Sequence, residues 1–299
     1  MKVVLTNLSN KLYEQSRFVL NESARQFGIH EVISYDFDDL KQTSFYLENK
    51  AILDQPRGIG YWLWKSYIIS EAMKDLSEGD VVIYSDCGIK IIADLSPLID
   101  ICRSQQPIVL FANGDFVNAG WTKRDCFILM GCDTELYWNS AHCDAAFGLF
   151  RKSDIAERFV SDWMKFGSDA RIITDMPNTC GKPNLPEYVE HRWDQSILSL
   201  LAHLYKLPLY RMPTQFGNHY KAPAFRIAKE YNTVNQLIRK QVNYYATDFF
   251  ANSPYFQLLE HHRSKDGKPE PLSSKLVKKI RGLAGGMSKR VRRALGLKS

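Results

Sequence analysis

Residues Val81–Ile89 read VVIYSDCGI, a run of β-branched and aromatic residues that stops abruptly at the turn sequence SDCG. A short apolar run bounded by turn residues predicts a buried strand. In open α/β sheets, ligands bind beyond the carboxyl ends of the strands, so Ser85, Asp86 and Gly88 are candidate site residues. The alternative is that Asp86 only forms an Asx-turn at an exposed corner.

The chain before this stretch alternates strand and helix patterns. Lys2–Thr6 predicts a first strand followed by a polar turn, residues 11–27 have helical spacing, and Ile29–Tyr35 predicts a second strand. This β-α-β opening is typical of a doubly wound sheet. It contains neither GxGxxG nor GxxxxGKS, which argues against a dinucleotide-binding or P-loop enzyme.

Residues 57–65 form a second unusual stretch, RGIGYWLWK, which leads directly into a predicted helix over 61–76. Two cations, Arg57 and Lys65, flank a glycine turn at a helix start, a pattern that suits an anion such as a pyrophosphate. Tyr61 and Trp64 are candidate donor-binding aromatics. They also share a helical stripe, so the alternative is that they belong to the core.

The chain after the central stretch predicts further strands and helices of a layered α/β domain. The predicted strands are 107–111, 145–150 and 207–211, and the predicted helices are 95–103, 121–132, 154–166 and 197–205. Residues 167–190 show no clear period. A loop of that length inside a compact domain is typical of a lid or a binding loop.

Two polar segments follow that loop. The first, HRWDQS, places His191, Asp194 and Gln195 before a helix, so Asp194 is either an N-cap or a catalytic carboxylate. The second, GNHYKAP, contains His219 and Lys221. A histidine two residues from a lysine is suited to a metal and a phosphate.

Charge is distributed unevenly along the 299 residues. Nine of the 39 Lys and Arg residues lie in 271–299, which contains no acid, so residues 1–270 carry 30 basic and 33 acidic side chains. A nucleic-acid binder would show basic residues across its folded face, so no nucleic-acid partner is expected. The six cysteines lack zinc-type spacing, and with no signal-like N-terminus or membrane-spanning run a cytoplasmic location is expected.

The basic tail has its own pattern. Apolar residues recur on one helical face within 275–295, with lysines and arginines around them. Such a segment predicts association with the inner membrane surface, and the alternative is a solvated, partly disordered tail. The predicted division is a catalytic domain over 1–225, a helical extension over 226–262, and a linker and membrane-associating tail over 263–299.

As an ordered set, these motifs resemble glycosyltransferases of the GT-A fold that use a nucleotide sugar, such as glycogenin-like and lipooligosaccharide galactosyltransferases. The counterparts are SDCG for the DxD motif, the small residues 145–148, Asp194-Gln195, and residues 219–223 for an HxxGxxKP segment. Residues 57–65 and 191–196 are also similar to stretches of bacterial and viral polysaccharide glycosyltransferases. The resemblance covers residues 1–225.

The resemblance implies a GT-A-like α/β fold with a mixed central sheet flanked by helices and a C-terminal helical extension. It implies transfer from a nucleotide-diphosphate sugar, UDP-linked, to a glycan or lipid-linked acceptor in lipopolysaccharide or capsule synthesis. Thr6 and Asn7 would lie near the base and ribose, and Asp86 and His219 would bind Mn²⁺ or Mg²⁺. Arg57, Lys65 and Lys221 would neutralise the diphosphate. Asp194 would be the base of an inverting enzyme, or would position the substrate with Gln195 in a retaining one.

Two departures from the family pattern stand out. Gly88 occupies the position of the second Asp of DxD, and the spacing of residues 219–223 is compressed. The alternatives are a sugar-phosphate nucleotidyltransferase, whose glycine-rich loop after the first strand is missing here, and a non-enzymatic adaptor that uses the basic tail.

Overall fold

The computed structural model describes residues 2–29, 31–217 and 252–262. The strands are β1 Val3–Ser9, β2 Glu31–Asp36, β3 Val81–Ser85, β4 Ile89–Ile91, β5 Ile108–Val117, β6 Ala141–Arg151, β7 Leu209–Arg211 and β8 Leu259–His261. The helices are α1 Glu14–Gln26, α2 Phe37–Leu40, α3 Ser44–Glu48, α4 Lys50–Leu53, α5 Gly58–Tyr61, α6 Trp64–Lys74, α7 Ser96–Ser104, α8 Asn118–Trp121, α9 Arg124–Leu129, α10 Glu135–Trp138, α11 Asp154–Gly167, α12 Ala170–Ile173 and α13 Trp193–Leu204, with a 3-10 turn at Lys11–Tyr13.

A six-stranded mixed sheet in the order β2-β1-β3-β6-β5-β7 forms the centre of the fold. β1 is parallel to β2 and β3, and β7 is parallel to β5, whereas β6 runs antiparallel to both β3 and β5. The carboxyl ends of the five parallel strands therefore meet at one edge of the sheet, together with the beginning of β6. The predicted α/β class with a mixed central sheet is confirmed.

Both faces of the sheet are buried, which explains why its strands read as continuous apolar runs. In β3, Val82 and Tyr84 pack on one side with the apolar faces of α6, α11 and α13. Val81 and Ile83 pack on the other side with α1 and α7. The helices thus flank the sheet, as predicted.

The first strand is longer than its apolar pattern predicted. β1 continues through Asn7 and Leu8 to Ser9, because its backbone pairs with β2 as far as Ser9, whereas its pairing with β3 ends at Thr6. The predicted turn at residues 6–10 is therefore wrong, and the strand tip is Ser9 rather than Thr6. The helix predicted over 121–132 is also shorter, since α9 covers only Arg124–Leu129.

The end of the described chain forms a second, two-stranded sheet rather than a helix. Residues 252–258 have no regular helix, and β8 pairs antiparallel with β4, the strand that follows the SDCG turn. Tyr255, Leu258 and Leu259 are buried against the same core as α1 and α7. The rest of the predicted extension and the basic tail lie outside the described residues. Within the described residues, no helix has the length and apolarity that crossing a membrane requires.

Candidate functional site

Three charged side chains from distant parts of the sequence meet at the carboxyl edge of the sheet. Asp86 follows β3, Lys65 lies in the first turn of α6, and Asp194 lies in the first turn of α13. The Lys65 Nζ is 3.2 Å from Asp86 Oδ1 and 3.2 Å from Asp194 Oδ2. It also donates a hydrogen bond of 3.0 Å to the carbonyl oxygen of Ala145 within β6.

Lys65 thus makes one hydrogen bond, to Ala145, and two ion-pair contacts, to Asp86 and Asp194. The side chains of Lys65 and Asp194 are almost fully buried, whereas that of Asp86 is 28% exposed. Asp86 is therefore the carboxylate that faces solvent. Lys65 was predicted to bind phosphate, but its charge is shared by two carboxylates, so its direct contribution here is to hold them together.

Burial and charge shift the pKa values of Asp194 and Lys65. Burial raises the pKa of Asp194 to about 7, and the nearby Lys65 opposes that rise. Burial alone would lower the pKa of Lys65, but the carboxylates of Asp194 and Asp86 outweigh it and raise that pKa. Asp194 is thus a carboxyl group that can exchange a proton near neutral pH.

Asp194 does not cap its helix. The N-cap of α13 is Arg192, which makes no side-chain cap hydrogen bond, and Asp194 lies inside the first turn. The N-cap alternative is therefore wrong. Gln195 follows it, and its side-chain nitrogen is buried without a hydrogen-bond partner in the part of the chain that the structure describes.

Tyr84 is a member of this centre that the sequence did not single out. Its hydroxyl donates a 2.5 Å hydrogen bond to Asp86 Oδ1, and its ring centroid is 5.5 Å from the Lys65 Nζ. The residue lies in β3 two positions before Asp86, so the pattern marked it as a core residue. Its polar end orients the carboxylate, while its ring packs in the core.

Several predicted site residues have structural partners instead. Thr6 Oγ1 donates to the Ile33 carbonyl, and the Asn7 amide donates to Asn21, so both are buried within the sheet rather than at its tip. The Ser85 hydroxyl donates to the carbonyl of the next residue, Asp86, in the turn.

His191 and Trp64 also lie in the interior. The His191 Nε2 donates to the Ile172 carbonyl and its Nδ1 accepts from the Lys123 amide, so neither nitrogen remains for a proton transfer. Burial lowers the pKa of His191 to about 3. The Trp64 indole donates to the Gly58 carbonyl and holds the glycine turn, as its core alternative predicted.

The glycine turn before α6 has an unusual backbone. Ile59, Tyr61 and Trp62 have φ values of 53°, 54° and 61°, in the left-handed region that bulky residues rarely adopt. A Cβ on Gly58 would lie 2.3 Å from the Trp62 ring, and one on Gly60 would lie 2.5 Å from the Leu53 backbone. Both glycines are therefore required for this close packing.

The described residues do not complete the predicted metal site. No three His, Cys, Asp or Glu side chains converge within the described ranges, and Gly88 offers no second carboxylate. His219 and Lys221 lie outside these ranges. Gly88 instead accepts a 2.9 Å backbone hydrogen bond from His262, which β8 brings beside the turn.

The loop predicted as a lid or binding loop is attached to the body through Asp125 in α9. This fully buried carboxylate accepts hydrogen bonds from the amides of Thr179 and Cys180, each 2.8 Å long, and from the Thr179 hydroxyl. Burial would raise the pKa of Asp125, but these hydrogen bonds outweigh it and hold that pKa below its ordinary value. Lys123 also donates to the Met176 carbonyl.

Replacing Asp125 with Ala is expected to lower the free energy of unfolding by about 1–3 kcal/mol, because the Thr179 and Cys180 amides and the Thr179 hydroxyl lose a fully buried acceptor. Hydrogen exchange should increase at Thr179 and Cys180. Lys182→Ala, which removes an exposed ion pair between the same loop and Asp133, is the control and should change stability by less than about 1 kcal/mol. Equal effects of the two changes would contradict the proposed anchor.

No protein-family model matches the chain, and no curated protein sequence matches it. Among solved structures, mouse xyloside xylosyltransferase 1 is similar with 10% identity and a TM-score of 0.46, over 90% of this chain and 99% of that one. The galactosyltransferase LgtC, in complex with donor and acceptor sugar analogues, is 12% identical with a TM-score of 0.45, over 98% and 99%. The glycosyltransferase GlyE of Streptococcus pneumoniae TIGR4 is 13% identical with a TM-score of 0.41, over 89% and 56%.

These three proteins are described as glycosyltransferases, the class that the motif order predicted. At such identities and TM-scores, the likeness concerns the arrangement of the chain and assigns neither a substrate nor a catalytic residue to it.

Proposed function

We propose that this chain is a glycosyltransferase that moves a sugar from a nucleotide-diphosphate donor to a glycan or lipid-linked acceptor. The observation that supports this most is the Lys65 ammonium shared by Asp86 and Asp194 at the carboxyl edge of the sheet. Ligands of open α/β sheets bind at that edge. Sugar transfer needs a base for the acceptor hydroxyl and a group that faces the donor. The buried carboxyl of Asp194, with a pKa of about 7, is suited to the first role, and the solvent-facing carboxylate of Asp86 is suited to the second.

In the proposed reaction, the acceptor oxygen bonds to the anomeric carbon and the bond between that carbon and the diphosphate oxygen breaks. Asp194 takes the proton of the acceptor hydroxyl, for which its raised pKa is suitable. Asp86 faces the donor, and Tyr84 holds its carboxylate in position. Lys65 keeps the two carboxylates at a fixed separation.

Calorimetric titration of the protein with UDP, GDP and CDP, each with and without Mn²⁺, tests this proposal. Selective binding of UDP would support a UDP-linked donor. Binding that requires Mn²⁺ would support the predicted cation, and Asp86→Asn should then weaken it. A well-folded sample that binds none of the three nucleotides would contradict the proposed function.

The raised pKa of Asp194 predicts a pH dependence. Turnover should increase with pH through about 7, because only the ionised carboxylate accepts a proton. Since the folded pKa exceeds the unfolded value of about 3.9, the contribution of Asp194 to stability is fully present below about pH 4 and is lost as the pH rises through about 7. The pH profile of kcat/KM measures the expected rise of turnover with pH. If Asp194→Asn showed the same fall in kcat/KM at acidic pH as the wild type, that expectation would be contradicted.

The basic tail is proposed to hold the enzyme at an anionic membrane surface during surface polysaccharide synthesis. Removing residues 272–299 should abolish cosedimentation with phosphatidylglycerol vesicles, because each basic residue near such a surface contributes about 1 kcal/mol. Turnover with a water-soluble acceptor should persist. Loss of that turnover would contradict a purely anchoring role.

A further inference from the structure

Backbone strain is concentrated beside the carboxylate centre. Five described non-glycine residues have positive φ, and four of them, Ile59, Tyr61, Trp62 and Trp193, lie in two segments that contact each other. The rings of Trp62 and Trp193 are 5.2 Å apart between centroids. Bulky residues in this region of φ are strained, and such strain is characteristic of functional sites.

Trp193 belongs to a cluster with Arg57 and Asp175. The Arg57 guanidinium lies 4.7 Å from the ring centroid of Trp193, and its Nε is 2.9 Å from Asp175 Oδ2. The Trp193 indole nitrogen donates a 2.8 Å hydrogen bond to Asp175 Oδ1. The glycine turn, the long loop and α13 therefore meet at this cluster.

A second cluster of one Arg, one Asp and one Trp allows a comparison, because it makes the same contacts with less exposed charged groups. Arg124, Asp133 and Trp138 repeat the contacts, with an ion pair of 2.9 Å, a guanidinium 5.1 Å from the ring and an indole hydrogen bond of 3.2 Å. Their Arg and Asp side chains are only 13% and 17% exposed, compared with 52% and 43% for Arg57 and Asp175. The Arg57 cluster thus presents its polar groups to solvent.

The location and charge of the Arg57 cluster indicate its ligand. Trp62 is half-buried, and the Lys65 Nζ is 6.0 Å from its ring centroid, so this ring borders the carboxylate centre. Arg57 was predicted to neutralise a diphosphate, but Asp175 already pairs its charge and would repel a phosphate. A neutral ring with several hydroxyl groups suits an aromatic face beside an Arg donor and an Asp acceptor.

We propose that Arg57, Trp62 and Asp175, supported by Trp193, form the subsite that binds the acceptor saccharide. The inference rests on the proposed function, since it places the acceptor beside Asp194, the next residue after Trp193. It reassigns Arg57 from binding the donor diphosphate to binding the acceptor. It also gives the long loop, which supplies Asp175, a part in acceptor selection.

The test uses Trp62→Ala and Asp175→Asn in the full chain, with methyl glycosides of glucose, galactose, mannose and N-acetylglucosamine as acceptor probes. Both changes should raise the acceptor KM by roughly tenfold or more, because each removes a contact of about 1.5 kcal/mol. Nucleotide affinity should stay within about twofold of the wild type. Asp175→Asn keeps an acceptor for the Trp193 indole, so it is the variant expected to fold normally.

Asp133→Asn is the matched control, because it removes the same kind of Arg–Asp ion pair, together with one to Lys182, from the less exposed cluster. It should lower Tm without changing the acceptor KM. If Arg57 were a diphosphate clamp instead, Asp175→Asn would free its charge and tighten nucleotide binding, which would overturn the inference. An unchanged acceptor KM in both variants would also overturn the inference. So would a wild-type protein that hydrolyses the donor but consumes it no faster when a methyl glycoside is added. A wild type that binds no nucleotide would contradict the proposed function itself.

Discussion

Asp86→Asn is expected to lower turnover by roughly 100- to 1,000-fold while leaving the fold intact. Asparagine keeps the shape of the side chain and an oxygen for the Tyr84 hydroxyl, but it removes the negative charge that faces the donor. Lys65 retains its contact with Asp194, so the buried ammonium is not left without a carboxylate. Steady-state kinetics, with Tm as the measure of folding, test this expectation.

The matched control is Asp36→Asn at the tip of β2, two strands away from β3 in the sheet. Asp36 is an exposed carboxylate that pairs with Arg17 at 2.7 Å, and it lies at the same edge of the sheet. Its replacement should leave turnover within about twofold of the wild type, since exposed ion pairs contribute little. Normal turnover and normal nucleotide affinity in Asp86→Asn would show that the tip of β3 is not the donor site.

Lys65→Met should lower the free energy of unfolding by about 3–5 kcal/mol, because it leaves two carboxylates without their shared cation in a buried centre. Methionine fills a similar volume, so the loss would arise from electrostatics rather than from a cavity. Turnover should also be lost, since the carboxylates would repel each other. Urea unfolding and steady-state kinetics measure the two effects separately.

A double variant separates these two effects. Adding Asp194→Asn to Lys65→Met removes the buried unpaired charge, so a large part of the lost stability should return. Turnover should not return, because the proposed base is then absent. If the double variant lost as much stability as the two single variants together, Lys65 and Asp194 would not act as a pair.

The order of the elements could be predicted because most strands here are buried on both faces. Such strands read as apolar runs between turn residues, and β3, β6 and β7 lie close to their predicted positions. β1 was predicted too short because Thr6 and Asn7 are polar. Their side chains bond to Ile33 and Asn21, which the local sequence does not reveal.

The candidate site was predicted in parts rather than as a whole. Lys65, Asp86 and Asp194 were each identified from a local pattern, since each lies where a helix begins or a strand ends. Their direct contact is a tertiary property, because it depends on how α6 and α13 pack against the sheet. Asp175 had no local signal at all, as it lies in an irregular loop and its partner Arg57 is far away in the sequence.

The pairing of β4 with β8 affects how this protein folds during its synthesis. β4 leaves the ribosome early, but the strand that covers it ends at His261. At about 5–20 residues per second, the intervening chain takes on the order of 10–30 s to translate. Throughout that interval β4 is an unpaired edge directly after the turn that carries Asp86, and such edges readily pair with other chains. During that interval the nascent chain is therefore exposed to misassociation beside its own candidate active site.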